Sequence, residues 1–255
     1  MELTWLGRSC FQLITGHGTR VIFDPYLEQY RERGLPPLPL PDVICVSHGH
    51  LDHFADVPDL VRGDSPAQVV AIPRLCRALR ELVPETRYRL FPIAWGDQVE
   101  LNGLRFFAYQ SPAMQTSLHD MLEEFGVQQV LDFLQACRQL ADEFLYLPLT
   151  SFGVEAHGLR VLHFVAEGQE EEDVDVRAMG VRFTPDVALV GVDPGEEVRA
   201  AEYAAALGAS LVIPHHYHAY GKLSAADLDL FIQELRRLAP GTTLRVLDVL
   251  ETINL

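Results

Sequence analysis

The segment Ser47-His48-Gly49-His50-Leu51-Asp52-His53 constrains this chain more than any other. Residues 48–53 carry three imidazoles and a carboxylate, directly after the apolar run Val43-Ile44-Cys45-Val46. That run is short, largely β-branched and bounded by Pro41-Asp42 and Gly49, the pattern of a buried strand. Residues 51–61 read as a helix with Asp52 and His53 at its start. Any fold this chain adopts must therefore place a histidine-rich turn at the end of a core strand. Neutral imidazole and carboxylate are the donors that borderline divalent ions such as zinc prefer. His48 and His50, one residue apart, can point to the same side, while Asp52 and His53 diverge and can serve a second ion. A chance histidine cluster on a surface loop is the plain alternative. The density of ligating groups favours the metal site.

Composition narrows the partners. A length of 255 residues allows one large domain or two small ones, with enough chain to bury a sizeable core. The net charge of -16 argues against nucleic acid, because a phosphate-binding groove needs clustered Lys and Arg, and no basic cluster is present. Cys10, Cys45, Cys76 and Cys137 are widely spaced with no Cys-x-x-Cys pair, so buried reduced thiols fit better than a disulfide framework. No basic segment precedes a long apolar one at the N-terminus, and no stretch approaches the roughly 18 apolar residues of a membrane span. A cytoplasmic, membrane-free protein is expected, with homo-oligomerisation left open.

The remaining pattern is strands first, then strands alternating with helices. Residues 2–6, 10–15 and 20–24 read as a meander turning at Gly16-His17-Gly18, and 30–41 as a proline-rich surface loop. A strand at 68–72 leads into a helix that Pro73 opens and that runs to 83. Gly96-Asp97 and Asn102-Gly103 punctuate two strands, the second at 104–109. Residues 151–156 and 159–165 form a hairpin around His157-Gly158. A strand at 187–192 is followed by a helix at 196–207 capped by Gly208. A strand at 211–213, a helix that Ser224 caps and that runs to 238, and a strand at 244–249 that closes the sheet complete the chain. Residues 118–140 alternate apolar and polar at helical spacing, with a break at Gly126. No repeat shows in residue identity and no low-complexity linker marks a boundary, so residues 1–255 read as a single domain. Strand-helix units in both halves suit two packed sheets with helices outside.

The His-x-His-x-Asp-His pattern after an apolar strand resembles the signature of the metallo-β-lactamase superfamily of hydrolases. Residues 3–14 (Leu-Thr-Trp-Leu-Gly-Arg-Ser-Cys-Phe-Gln-Leu-Ile) and 21–26 (Val-Ile-Phe-Asp-Pro-Tyr) resemble the opening of the branch typified by L-ascorbate-6-phosphate lactonase. Residues 211–217 (Leu-Val-Ile-Pro-His-His-Tyr) resemble the strand and loop that carry that branch's last histidine ligand. The resemblance runs from Met1 to about Tyr217. It implies an α/β (α+β) fold, a four-layer αββα sandwich of metallo-β-lactamase type, with the metal site at one edge between the ends of the two sheets.

The resemblance also implies a ligand set. A first ion takes His48, His50 and a third histidine, and a second takes Asp52, His53, a bridging acid and His216. The third histidine's place, after Pro112-Ala113-Met114, holds Gln115, a weak zinc ligand. His119 is an alternative on the same helical face, and a solvated histidine is the reading against it. Glu167 stands where the bridging aspartate is expected and is one methylene longer. Asp24 matches a residue that holds a ligand histidine by its second nitrogen, with a turn aspartate before Pro25 as the equal alternative. His215 and His218, beside His216, are candidates for substrate contact. Arg8 stands where the branch usually has histidine; arginine cannot ligate a metal but binds carboxylate or phosphate.

The expected cofactor is one or two divalent ions, zinc or else manganese. The expected function is a metal-dependent hydrolase acting on a small ester, lactone or phosphoester through activated water, with Asp52 as the catalytic residue that orients or deprotonates it. The alternative is a weakened member of the same fold that binds a metabolite or partner. Within residues 118–140, Leu118, Met121, Leu122, Phe125, Val130, Leu131, Phe133 and Leu134 must be buried somewhere. That segment is expected to be a helical insertion beside the metal cleft, either a lid or a plain packing helix.

Overall fold

Alternation at period two decides which side of each strand meets what. A computed structural model describes residues 1–112, 122, 126–136, 149–166, 174–219 and 224–255. The first half of the chain supplies β1 (Glu2–Gly7), β2 (Cys10–Ile14), β3 (Arg20–Phe23), β4 (Val43–Cys45), β5 (Gln68–Ala71) and β6 (Leu90–Pro92). The second supplies β7 (Gln98–Leu101), β8 (Leu104–Gln110), β9 (Thr150–Ala156), β10 (Leu159–Phe164), β11 (Val187–Gly191), β12 (Leu211–His215), β13 (Thr243–Leu244) and β14 (Thr252–Asn254). Two seven-stranded sheets result, ordered β14-β1-β2-β3-β4-β5-β6 and β13-β12-β11-β10-β9-β8-β7.

Leu3, Trp5, Phe11, Leu13, Val21, Phe23, Val43 and Cys45 point between the sheets and join Phe106, Phe152 and Val154 of the second sheet in one core. The intervening residues Ile44, Val46, Val69 and Ala71 point the other way, onto Phe54, Val57, Val61, Leu75 and Leu79 of the helices Leu51–Phe54, Val57–Val61 and Pro73–Leu82. On the far side, Met179, Phe183, Ala200, Ala204 and Leu207 bring the helices Val176–Phe183 and Glu197–Leu207 onto the second sheet. The αββα sandwich is the fold of this chain. Both sheets run from antiparallel to parallel pairing, turning parallel at β3-β4 in one and at β10-β11 in the other. The two halves therefore share a topological plan that residue identity does not display.

Several local details differ from the sequence reading. The helix over 51–61 is two helices, because Pro58 opens the second and cannot donate the hydrogen bond that would continue the first. The first residues of the loop expected over 30–41 belong to a short helix, Glu28–Glu32. Ser224 is not the cap of the helix before Leu238. That helix is Leu228–Leu238, and Asp227 caps it by accepting from Leu230 N–H at 3.0 Å. Nor does a strand at 244–249 close the second sheet. Only Thr243–Leu244 pairs there; a turn at Asp248–Glu251 then redirects the chain so that β14 pairs with β1, Ile253 opposite Leu3.

Close packing of the outer helices depends on Gly180. A Cβ there would lie 2.6 Å from Leu207 O and 2.8 Å from Ala206 O, both backbone atoms that cannot swing aside. Gly180→Ala is expected to destabilise the protein by about 1–3 kcal/mol through overpacking, despite alanine's higher helix propensity. Urea denaturation of the two proteins checks this, and an equal or raised midpoint would contradict it.

Candidate metal centre

Strand ends converge at one edge of the sandwich. The chain leaves β4 into Ser47 and His48, and Asp24 follows the neighbouring parallel strand β3. From the other sheet, β12 delivers His215 and His216, and β11 delivers Asp193 two residues after Gly191, which is paired with His215. Arg8 follows β1. Arg8, Asp24 and His216 all have left-handed backbone, at φ 47°, 43° and 68°. Such conformations cost non-glycine residues about 1–3 kcal/mol and concentrate at functional sites.

Three donors meet. Atoms of Asp52, His53 and His216 all lie within 4.8 Å of one another. His216 Nε2 is 2.9 Å and His53 Nε2 3.7 Å from Asp52 Oδ2. A tetrahedral ion with bonds of about 2.0–2.1 Å separates its ligands by roughly 3.4 Å, so these spacings bracket what such an ion needs. Behind each imidazole stands a carboxylate. His53 Nδ1 donates to Asp24 Oδ2 at 2.7 Å, and His216 Nδ1 donates to Asp193 Oδ1 at 2.6 Å. Both rings are thereby turned to present Nε2 toward Asp52, the arrangement that fixes tautomer and raises ligand basicity. The residues present fit a divalent ion.

Ser47 ties the cluster together. Its N–H and O–H donate to Asp24 Oδ1 and Oδ2 at 2.7 and 2.5 Å, and its Oγ accepts from His48 Nδ1 at 2.9 Å. His48 stacks edge-on to His50, with ring centres 4.3 Å apart, and lies 4.0 Å from the His53 ring. The structure thus brings His48, His50, Asp52, His53 and His216 together at this edge. Glu167, Gln115 and His119 lie outside the described residues; Ala166, just before Glu167, lines the adjoining cleft. Asp24 is both the turn residue and the histidine partner. His215 is buried, 3.3 Å from Ser9 Oγ and stacked on His163 at 5.1 Å, and it lines the cleft beside the trio. His218 instead stacks on Trp5, with ring centres 5.1 Å apart.

Electrostatics at the centre follow from burial and pairing. Burial works against ionised Asp52, but His53, Arg8 and His216 outweigh it and hold the carboxyl well below its ordinary range. Burial and Arg8 also oppose protonation of His216, yet Asp193 and Asp52 overcome both and raise it to about 10. Two participants, Asp193 and Ser47, escaped sequence reasoning. Asp193, before Pro194-Gly195, belongs to no motif; the signal for it is its place just beyond a core strand parallel to the one bearing His216. Ser47 carried no signal beyond adjacency. Arg8, expected to bind carboxylate or phosphate, pairs with the buried motif aspartate, through Nη2 at 2.6 Å and Nε at 3.2 Å from Asp52 Oδ2.

Asp193→Ala is expected to lower metal affinity by about 10- to 100-fold, since the carboxylate orients His216. Competition against a chromogenic chelator measures it, and unchanged affinity would remove Asp193 from the centre.

Known proteins place this geometry in context. Residues 2–216 match the family described as beta-lactamase superfamily domain. A UPF0173 metal-dependent hydrolase of Opitutus terrae is 30% identical over 261 residues, covering 100% of both chains. One from Methanoculleus marisnigri is 28% identical over 262 residues, covering 96% of this chain and 97% of its own. Among solved structures, Igni18, a metallo hydrolase of Ignicoccus hospitalis, superposes with a TM-score of 0.71 at 20% identity over 99% of this chain and 97% of its own. The metallo-β-lactamase fold protein YhfI of Bacillus subtilis does so with a TM-score of 0.64 at 11% identity, over 99% and 98%. With its two-sheet sandwich and its motif at the sheet edge, this chain belongs to the metallo-β-lactamase superfamily and, within it, to the UPF0173 metal-dependent hydrolase family.

Proposed function

We propose that this protein hydrolyses a small ester, lactone or phosphoester with a divalent ion held by Asp52, His53 and His216. The observation that carries the reading is the convergence of those three donors, each imidazole braced by its own carboxylate. When bound, the ion supplies Lewis acidity and makes water nucleophilic near neutral pH. The protein's own groups do the rest. Asp52 stays ionised, so its role is to ligate and orient rather than to store a proton. Arg8 holds a fixed positive charge against it, and Asp24 and Asp193 keep the two imidazoles aimed. The cleft beside the trio is lined by Ser9, Ala166, Asp193 and His215 together with His53 and His216. The likeness to the ascorbate-phosphate lactonase branch tilts the choice toward a lactone or a phosphorylated metabolite.

The helix Val127–Ala136 supports a wall on this side of the molecule. Its Val130 is fully buried in the cluster that contains Leu51 and Phe54 of the motif helix, while Val127 and Leu131 remain more than half exposed. The rest of the 118–140 segment, apart from Leu122 and Gly126, lies outside the described residues. Among the described residues no helix is long and apolar enough to cross a membrane.

A panel of one ester, one lactone and one phosphomonoester tests the proposal on protein of measured metal content. Hydrolysis of at least one class, abolished by chelator and restored by zinc or manganese, is the expected result. Metal-loaded protein inert toward all three would favour the second reading, a metabolite-binding protein. That reading draws on the Arg8–Asp52 pair, which neutralises the motif carboxylate.

A further inference from the structure

The motif aspartate is already partnered by a cation from the protein itself. Arg8 places Nη2 and Nε on Asp52 Oδ2, the same oxygen that lies 2.9 Å from His216 Nε2. Its side chain is 2% exposed, so the charge sits in the interior and interacts strongly with whatever else is there. Nor is it a mobile surface arginine that can swing away. Trp5 Nε1 donates to Arg8 O at 2.9 Å, and the backbone is held left-handed. The preceding Gly7, at φ 113°, packs so closely on Gln29 that a Cβ would fall 2.0 Å from its Oε1. The local chain is built to present this guanidinium at this point.

We propose that Arg8 acts as a resident cation of the centre, filling the charge position of one divalent ion, so that the chain binds one ion fewer than the same site with a neutral residue at position 8. The reasoning is electrostatic. A carboxylate that bridges or orients two dications must offer both of them uncompensated negative charge. Here one oxygen of Asp52 is given over to a guanidinium, which cannot leave and cannot lose its proton. A second dication nearby would face that fixed charge in a site that water screens poorly. The guanidinium also offers what an ion would, a fixed positive charge beside the reacting atoms, though without the ability to acidify water. One ion in the Asp52–His53–His216 trio, with Arg8 at its side, accounts for the charges present.

This inference rests on the metal-dependent reading of the site, and the test separates the two. Wild-type, Arg8→Gln and Arg8→Lys proteins are loaded with excess zinc, desalted and assayed for zinc per chain, with circular dichroism as the check on folding. The expected result is at most one zinc in wild type, one more in Arg8→Gln, and the wild-type number in Arg8→Lys, which keeps the charge. Titration calorimetry should show an added zinc step in Arg8→Gln that is weaker by ~10-fold or more, or missing, in wild type. Two zinc ions in the wild type would overturn the proposal without any variant, as would equal stoichiometry in folded wild type and Arg8→Gln. If Arg8→Gln fails to fold, Arg8→Met, which also removes the charge and keeps Asp52, takes its place. In that variant the proposal requires one zinc more than in wild type, and a folded Arg8→Met protein with the wild-type number is evidence against it. Absence of zinc from all the proteins would instead defeat the metal-dependent reading itself.

Discussion

Asp52→Ala is expected to strip the centre of its ion, reduce hydrolysis to background and cost about 3–5 kcal/mol of folding stability. The stability loss does not come from a weak surface contact. Asp52 and Arg8 are both almost fully buried, and removing the carboxylate takes a charged partner from a guanidinium that stays in the interior. His216 loses its acceptor at the same time. The two losses can be told apart. In metal-free protein the destabilisation should persist, since it belongs to the ion pair, and Arg8→Met added to Asp52→Ala should recover part of it. Urea denaturation of the four proteins in a double-mutant cycle gives the coupling. A coupling energy near zero would mean that the pair is held by its surroundings and does not hold them. Asp52→Asn separates shape from charge: it keeps the outline of the side chain, and the metal should still be lost.

The sequence carried the site better than it carried the fold's details. The His-x-His-x-Asp-His motif was legible because its residues are adjacent in the chain and chemically unusual after an apolar strand. His216 was legible through its strand and its neighbours. Asp193 was not, because its contribution depends on β11 lying beside β12, and an Asp-Pro-Gly run reads equally well as a turn. The partner of Arg8 was hidden for the same reason: Asp52 lies 44 positions further along the chain, and the fold of the first sheet brings the two to the same edge. The boundaries of regular strands followed from period-two alternation, to within a residue or two over most of the first sheet. What failed was local competition. Pro58 split a helix whose apolar pattern ran through it, and Asp227 took a cap assigned to Ser224. A two-residue strand at Thr243–Leu244 gave way to a turn, because β14 had a partner in the other sheet. The shared topology of the two halves lies in pairing order, which identity comparison cannot register.

Acid should destabilise the metal-free protein below about pH 6.5, and the cause is a pair of histidines behind the centre. His163 and His215 are fully buried and stacked. His163 donates from Nε2 to Ser9 O at 2.9 Å, while its Nδ1 has no hydrogen-bond partner. Burial, only partly offset by Asp24, brings His163 down to about 4, and burial with repulsion from His163, His216 and His53 holds His215 well below its ordinary value. The unfolded chain binds these protons near pH 6.5. Above that pH neither state is protonated and the pair has no pH-dependent effect. Below it the unfolded state takes up protons that the folded state refuses, so stability falls as pH drops from about 6.5 toward 4. For His163 alone that interval corresponds to about 3 kcal/mol. His216 runs the opposite way: raised to about 10, it stabilises the folded state below 6.5 and loses that contribution as pH rises. Chelator-treated protein should therefore be most stable near pH 6.5, with a decline on either side. A bound ion deprotonates His216 and should flatten the alkaline limb only. Urea midpoints from pH 4.5 to 8.5 for wild type and His163→Gln, which keeps a donor toward Ser9 O, measure the acidic limb. Its slope should be shallower by up to one proton in the variant; an unchanged slope would show that the buried pair is not what acid attacks.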